Sequence, residues 1–210
     1  MSIEKVKKDF NRLSQYVFFD EDQYFREQTN SKSHFHIFIQ ETEILLETSL
    51  TMDEQYCIFS FLGYSYRILN NPTEGIKYFQ KCLTISQHEP RKQIITMIRL
   101  GEAYKYANLH KKALELFDDA MKISKEYQIE DYEHYIYQHK GKCFLELGDV
   151  NLAKDYLHDA LSIREKIEND ALVYSTRQVI DFIGRNSILV QNERGEEYEK
   201  SNCISICFNP

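Results

Sequence analysis

The chain of 210 residues has no tryptophan, three prolines and seven glycines, and each shortage excludes something. So few chain-breakers cannot serve the turns of an all-β or disulfide-stapled fold. Cysteine is scarce as well. Cys57, Cys82, Cys143, Cys203 and Cys207 form no CxxC pair and no His/Cys box, so neither a metal nor another cofactor is expected. Their odd number points to a reducing compartment, where they pack as small hydrophobes. No uninterrupted run of 18 apolar residues occurs, which leaves no membrane span to expect. The opening MSIEKVKKDF alternates charged and apolar side chains and does not read as an export signal. Basic residues number 26 against 33 acidic, for a net charge of −7. Nucleic acid would require the opposite balance. A cytoplasmic protein with peptide or protein partners, engaging neither nucleic acid nor membrane, is the expectation.

What the chain does have is a repeat. Aligned on the glycines of FSFLGYSYRIL, MIRLGEAYKYA and YQHKGKCFLEL, Gly63, Gly101 and Gly141 fall 38 and 40 residues apart. Each follows Phe59, Met97 or Tyr137 by four residues and precedes Tyr66, Tyr104 or Phe144 by three. Twelve residues beyond each glycine stands a small residue (Gly75, Ala113, Ala153). A large one follows (Phe79, Phe117, Leu157), then a second small one (Cys82, Ala120, Ala160). A mid-helix glycine costs about 1 kcal/mol against alanine, so its recurrence predicts notches that receive large side chains from a partner helix. Turn signals NNPT (70–73), ANLH (107–110) and LGDV (147–150) join the two helices of each unit, while HEPR and QIED separate units.

The predicted organisation is an N-terminal helical hairpin (1–52), with helices over 2–27 and 33–50, then three repeats (53–90, 91–129, 130–167). A capping helix (168–186) covers the last hairpin, and an irregular tail (187–210) could dock in the groove. Lys140, where the other copies have an apolar residue before the glycine, is expected to snorkel.

Over residues 53–167 this pattern resembles the tetratricopeptide repeat. The resemblance implies an all-α, right-handed solenoid of helical hairpins with a concave groove lined by the first helix of each hairpin. The long period and the phrase GKCFLELGDVNLAKDYLHDALSI look like the Rap-like peptide-sensing regulators of Gram-positive bacteria. That likeness implies a short peptide in the groove and a ligand-driven change of superhelical pitch. Co-chaperone members grip a C-terminal carboxylate with Lys and Asn. The matching places here hold Ser60, Tyr64, Ile95, Arg99, Tyr135 and His139, of which only Arg99 could serve, so that clamp is not expected.

No catalytic constellation stands out: there is no Gly-rich phosphate loop, no GxSxG and no Cys–His pair, and the histidines are off-face from one another. The expectation is therefore a non-enzyme. Helical spacing places Tyr64, Arg67, Arg99, Glu102, Lys105, Tyr106, Tyr135, Gln138 and Lys142 on the groove stripe, a mixture that suits an extended peptide or a partner helix. Replacing Arg99 and Lys105 by alanine should then weaken binding and spare the fold. A regulator or adaptor is the first reading. An acidic neutraliser of a basic protein, such as a toxin-immunity protein or secretion chaperone, is the alternative. The open solenoid end leaves room for a homodimer.

Overall fold

The computed structural model describes residues 2–186, and its helices begin and end where side chains or turns can satisfy free backbone groups. Helix α1 (Ile3–Leu13) leads into an antiparallel hairpin of β1 (Val17–Asp20) and β2 (Arg26–Thr29), paired from Val17 with Thr29 to Asp20 with Arg26. Then come α2 (Lys32–Leu45), α3 (Met52–Ile68), α4 (Pro72–Ile85), α5 (Pro90–Tyr106), α6 (His110–Glu126), α7 (Glu133–Glu146) and α8 (Val150–Lys166). A last helix, α9, covers 170–186.

Thr51 and Glu54 close a capping box on α3, Asn71 and Asp149 cap α4 and α8, and Pro72 and Pro90 occupy first turns. The helices α3, α5, α6, α7 and α8 share one ending. Asn70, Asn108, Gln128, Gly148 and Glu168 take positive φ, and the amide after each bonds back to a carbonyl of the last turn. This is the left-handed stop that reverses the chain after a helix.

Helix pairs α3–α4, α5–α6 and α7–α8 stack as successive hairpins of an α-solenoid, with α3 touching α5 and α5 touching α7 along the inner side. The glycines are notches, as their recurrence predicts. A Cβ on Gly63 would lie 2.9 Å from the Phe79 ring, and one on Gly101 would collide with Phe117. Lys140 bonds Asp118 at 2.7 Å and lies over the Tyr156 ring. Helix α9 seals the array by packing Val179 and Ile183 on Ala153 and Leu157. Among the described residues no helix is long and apolar enough to cross a membrane.

The N-terminal reading needs one correction. Helices α1 and α2 do pack on each other and on α3, through Val6, Phe35, Ile39, Ile58 and Leu62. The helix expected over 2–27, however, stops at Leu13, and 17–29 form the β-hairpin. The run Val17-Phe18-Phe19 is β-branched and aromatic, a composition that favours a strand. The partners that hold the hairpin come from distant helices.

Candidate functional site

The inner faces of α3, α5 and α7 enclose, with the β-hairpin, a cavity of about 750 Å³. Helical spacing explains which side chains reach it: residues three and four apart share a face. Tyr64 and Arg67 come from α3, Arg99, Glu102, Lys105 and Tyr106 from α5, and Tyr135, Gln138 and Lys142 from α7. All nine residues of the sequence-derived stripe therefore meet around one space. The far wall is supplied by Phe10 of α1, Phe19, Phe25 and Glu27 of the hairpin, and Arg164 of α8.

Strand β2 already lies along part of the concave face. Its Arg26 forks onto Glu146 at 3.0 and 2.6 Å and donates to the Lys105 carbonyl and to Asn108. That position lies at the C-terminal end of α5, where exposed carbonyls favour a cation. Glu146 also takes Lys105 at 3.2 Å and His110 at 2.8 Å. Burial by itself would raise the Glu146 carboxyl, but Lys105 and Arg26 overcome it and hold the group at about 2.

The next residue is gripped as firmly. Glu27 accepts from Arg67 at 2.5 Å and from the Tyr64 hydroxyl at 3.3 Å, and its backbone N–H donates to the Tyr106 hydroxyl. The Arg67 guanidinium also reaches Glu102 at 3.5 Å and stacks over the rings of Tyr64 and Tyr106. Just before β2, Tyr24 and Phe25 both take positive φ, a costly state for bulky residues that persists only where surroundings enforce it. The enforcement is visible: the Phe25 ring packs edge-on to Phe182, and its carbonyl accepts from Lys142 at 3.1 Å.

Burial divides the nine residues. Arg67, Lys105, Tyr106, Gln138 and Lys142 are buried, whereas Tyr64, Arg99, Glu102 and Tyr135 are half-buried. Lys105, only 1% exposed, spends its charge on Glu146. It cannot be the stability-neutral groove residue expected from spacing, because its loss would strip a buried carboxylate of a partner. The cavity is also electropositive. Burial first, then Lys105, Lys142, Arg67 and Arg164, push the His139 ring well below its ordinary value. Burial and Lys105 likewise bring the Lys142 ammonium down to about 7.

Spacing did not reveal Arg26, Glu27, Glu146 or Arg164. The first two were hidden by reading 2–27 as helix, although the apolar run YVFF before a polar REQT was a usable strand signal. Glu146 and Arg164 carry no signal in a single sequence, since only folding brings them against the groove.

Sequence profiles described as tetratricopeptide repeat match residues 54–126 and 134–167, together just over half the chain. No curated protein matches. Among solved structures, aspartyl phosphate phosphatase F from Bacillus subtilis superposes with a TM-score of 0.61 at 17% identity, covering 94% of this chain and 50% of that one. A signal-transduction ATPase with a tetratricopeptide repeat sensor from Pyrococcus horikoshii gives 0.60 at 17% identity, over 86% and 26% of the two chains. Apo RapI gives 0.54 at 20% identity, over 80% and 65%. The chain thus spans a quarter to two thirds of these proteins, and the likeness is one of fold.

Proposed function

We propose, for a chain that belongs to the tetratricopeptide-repeat family, that it is a non-catalytic recognition module docking an extended peptide or a partner helix in its concave cavity. It would act in the cytoplasm as a bacterial regulator or adaptor. One observation carries the reading. Side chains from three successive inner helices converge on a cavity of about 750 Å³, a size suited to several residues of a ligand. Beside it, the same inner surface already holds an extended strand through backbone and side-chain bonds to β2. A face that grips one strand in this way has the chemistry to grip another. The Rap-like neighbours share the arrangement of helices, and their peptide-sensing relatives make a short peptide the first ligand to try.

Selection of linear peptides from a random display library on the immobilised chain tests this. Selected peptides should lose about tenfold in affinity on Tyr135→Ala, as an aromatic contact residue does. They should be indifferent to Leu152→Ala on the exposed face of α8. Peptides that ignore Tyr135→Ala but need Leu152 would place recognition on the outside of the solenoid and end the groove reading.

A further inference from the structure

Each inner helix of the array sets a glycine against a large side chain of the antiparallel helix beside it: Phe79 on Gly63, Phe117 on Gly101, Leu157 on Gly141. Gly184 of α9 breaks this rule. It stands inside a helix, where glycine costs about 1 kcal/mol, yet among the described residues an added Cβ would meet nothing within 4 Å. Val179 and Ile183 turn inward onto the last hairpin. Tyr174, Arg177 and Asp181 are exposed, and Gly184 continues their stripe. The intervals of three, four and three residues are those of a coiled-coil seam.

The stripe is self-complementary. In an antiparallel pair of α9 helices with a two-fold axis at the level of Val179, residues equally far on either side of that level share a layer. Tyr174 and Gly184 are each five residues from Val179, and Arg177 and Asp181 are each two. The Tyr174 ring of each copy, 65% exposed in the single chain, then covers the notch at Gly184 of the other. Each Arg177 likewise meets Asp181 of the other copy. Neither charge is firmly held within the chain. Asp181 forms no ion pair among the described residues. Arg177 reaches Glu165 at 2.7 Å with both side chains about half exposed, a surface pair of small worth. Val173 and Ile180, half-buried, flank the seam and add apolar area.

We propose that the outer face of α9 is the interface of a symmetric homodimer, with a second copy of this chain as its occupant. The contact repeats what holds each hairpin together, a large side chain seated in the notch of an antiparallel helix. It is also isologous, as a two-fold dimer requires. The inference is independent of the groove reading, because Tyr174, Arg177, Asp181 and Gly184 line no part of the cavity. One helix pair is a small interface, so association on the order of micromolar is expected.

Sedimentation of the full chain over a range of concentrations tests the interface, and its mass should rise from one copy to two. Arg177→Asp and Asp181→Arg each place like charges opposite one another twice, so either change should weaken the dimer about tenfold or more. Combining them restores both pairs with the signs exchanged and should recover most of the loss, as coupled partners do. Tyr174→Ala should weaken association about tenfold as well. All three side chains are exposed, so the diluted variants should melt with the parent chain. The same dilution isolates the single-chain effect of Gly184→Ala. A chain that stays monomeric at high concentration, or a dimer indifferent to the single charge reversals, would overturn the interface. So would single losses that the double reversal fails to recover. None of these outcomes bears on peptide binding in the cavity.

Discussion

A lysine at position 142 of a helical repeat reads, from spacing alone, as a polar groove residue. Its depth is what spacing cannot convey. The unfolded chain keeps the Lys142 proton to about 10.5, whereas burial and Lys105 lower the folded value to about 7. Between those values the unfolded state binds more protons, so Lys142 makes stability rise with pH through that window. Below about 7 the full cost of the buried charge is present. Lys142→Met should therefore flatten the rise in urea midpoint between neutral and alkaline pH. Parallel profiles for the two proteins would mean the ammonium is effectively solvated. Position and side-chain type were legible here, but the absence of a counter-ion was not, because the groups that surround Lys142 come from β2, α5 and α8.

At the scale of elements, the helices are written in local chemistry and the hairpin is not. Glycines 63, 101 and 141 advertise their notches by recurring against Phe79, Phe117 and Leu157. A contrast within the chain tests what those notches do. Alanine is favoured over glycine in a helix by about 1 kcal/mol, and at Gly184 an added Cβ would meet nothing. Gly184→Ala should thus stabilise by a few tenths of a kcal/mol or more. At Gly101 the same methyl meets the Phe117 ring, and overpacking of about 1–3 kcal/mol outweighs the propensity gain. Gly101→Ala should lower stability in chemical denaturation. Equal shifts for both would show that the inter-helix contact is looser than the geometry states. The turn between α1 and α2 escaped such reasoning. The run Val17–Phe19 carries a strand signal of its own, but the pairing of β1 with β2 and its place on the inner helices rest on distant partners for Arg26, Glu27 and Phe25.

Across the whole molecule, one carboxylate joins parts that are far apart in sequence. Glu146 at the end of α7 holds Arg26 of β2, Lys105 of α5 and His110 of α6. Its pKa falls from an ordinary 4.5 to about 2. The stability it supplies is complete above the ordinary value and is lost as pH drops through the folded one. Acid should therefore loosen the hairpin and the second and third repeats together. Glu146→Gln should be less stable at neutral pH and lose less on acidification from about pH 5 to about pH 2. An unchanged acid limb, read as urea midpoint against pH, would show that the junction does not link these parts.

By itself the sequence determined the repeat, its helix breaks, the small-to-large fit inside each hairpin and which stripe of each inner helix faces the hollow. All of these depend on neighbours within one or two turns or within one period of the pattern. Only the tertiary structure decided that residues 17–29 leave the helix, that they form part of the wall of the hollow, and which cations find carboxylates. Those outcomes depend on contacts separated by up to 164 residues, as between Glu21 and Arg185. The energy of a buried charge is set by what surrounds it in space, and no local spacing encodes that.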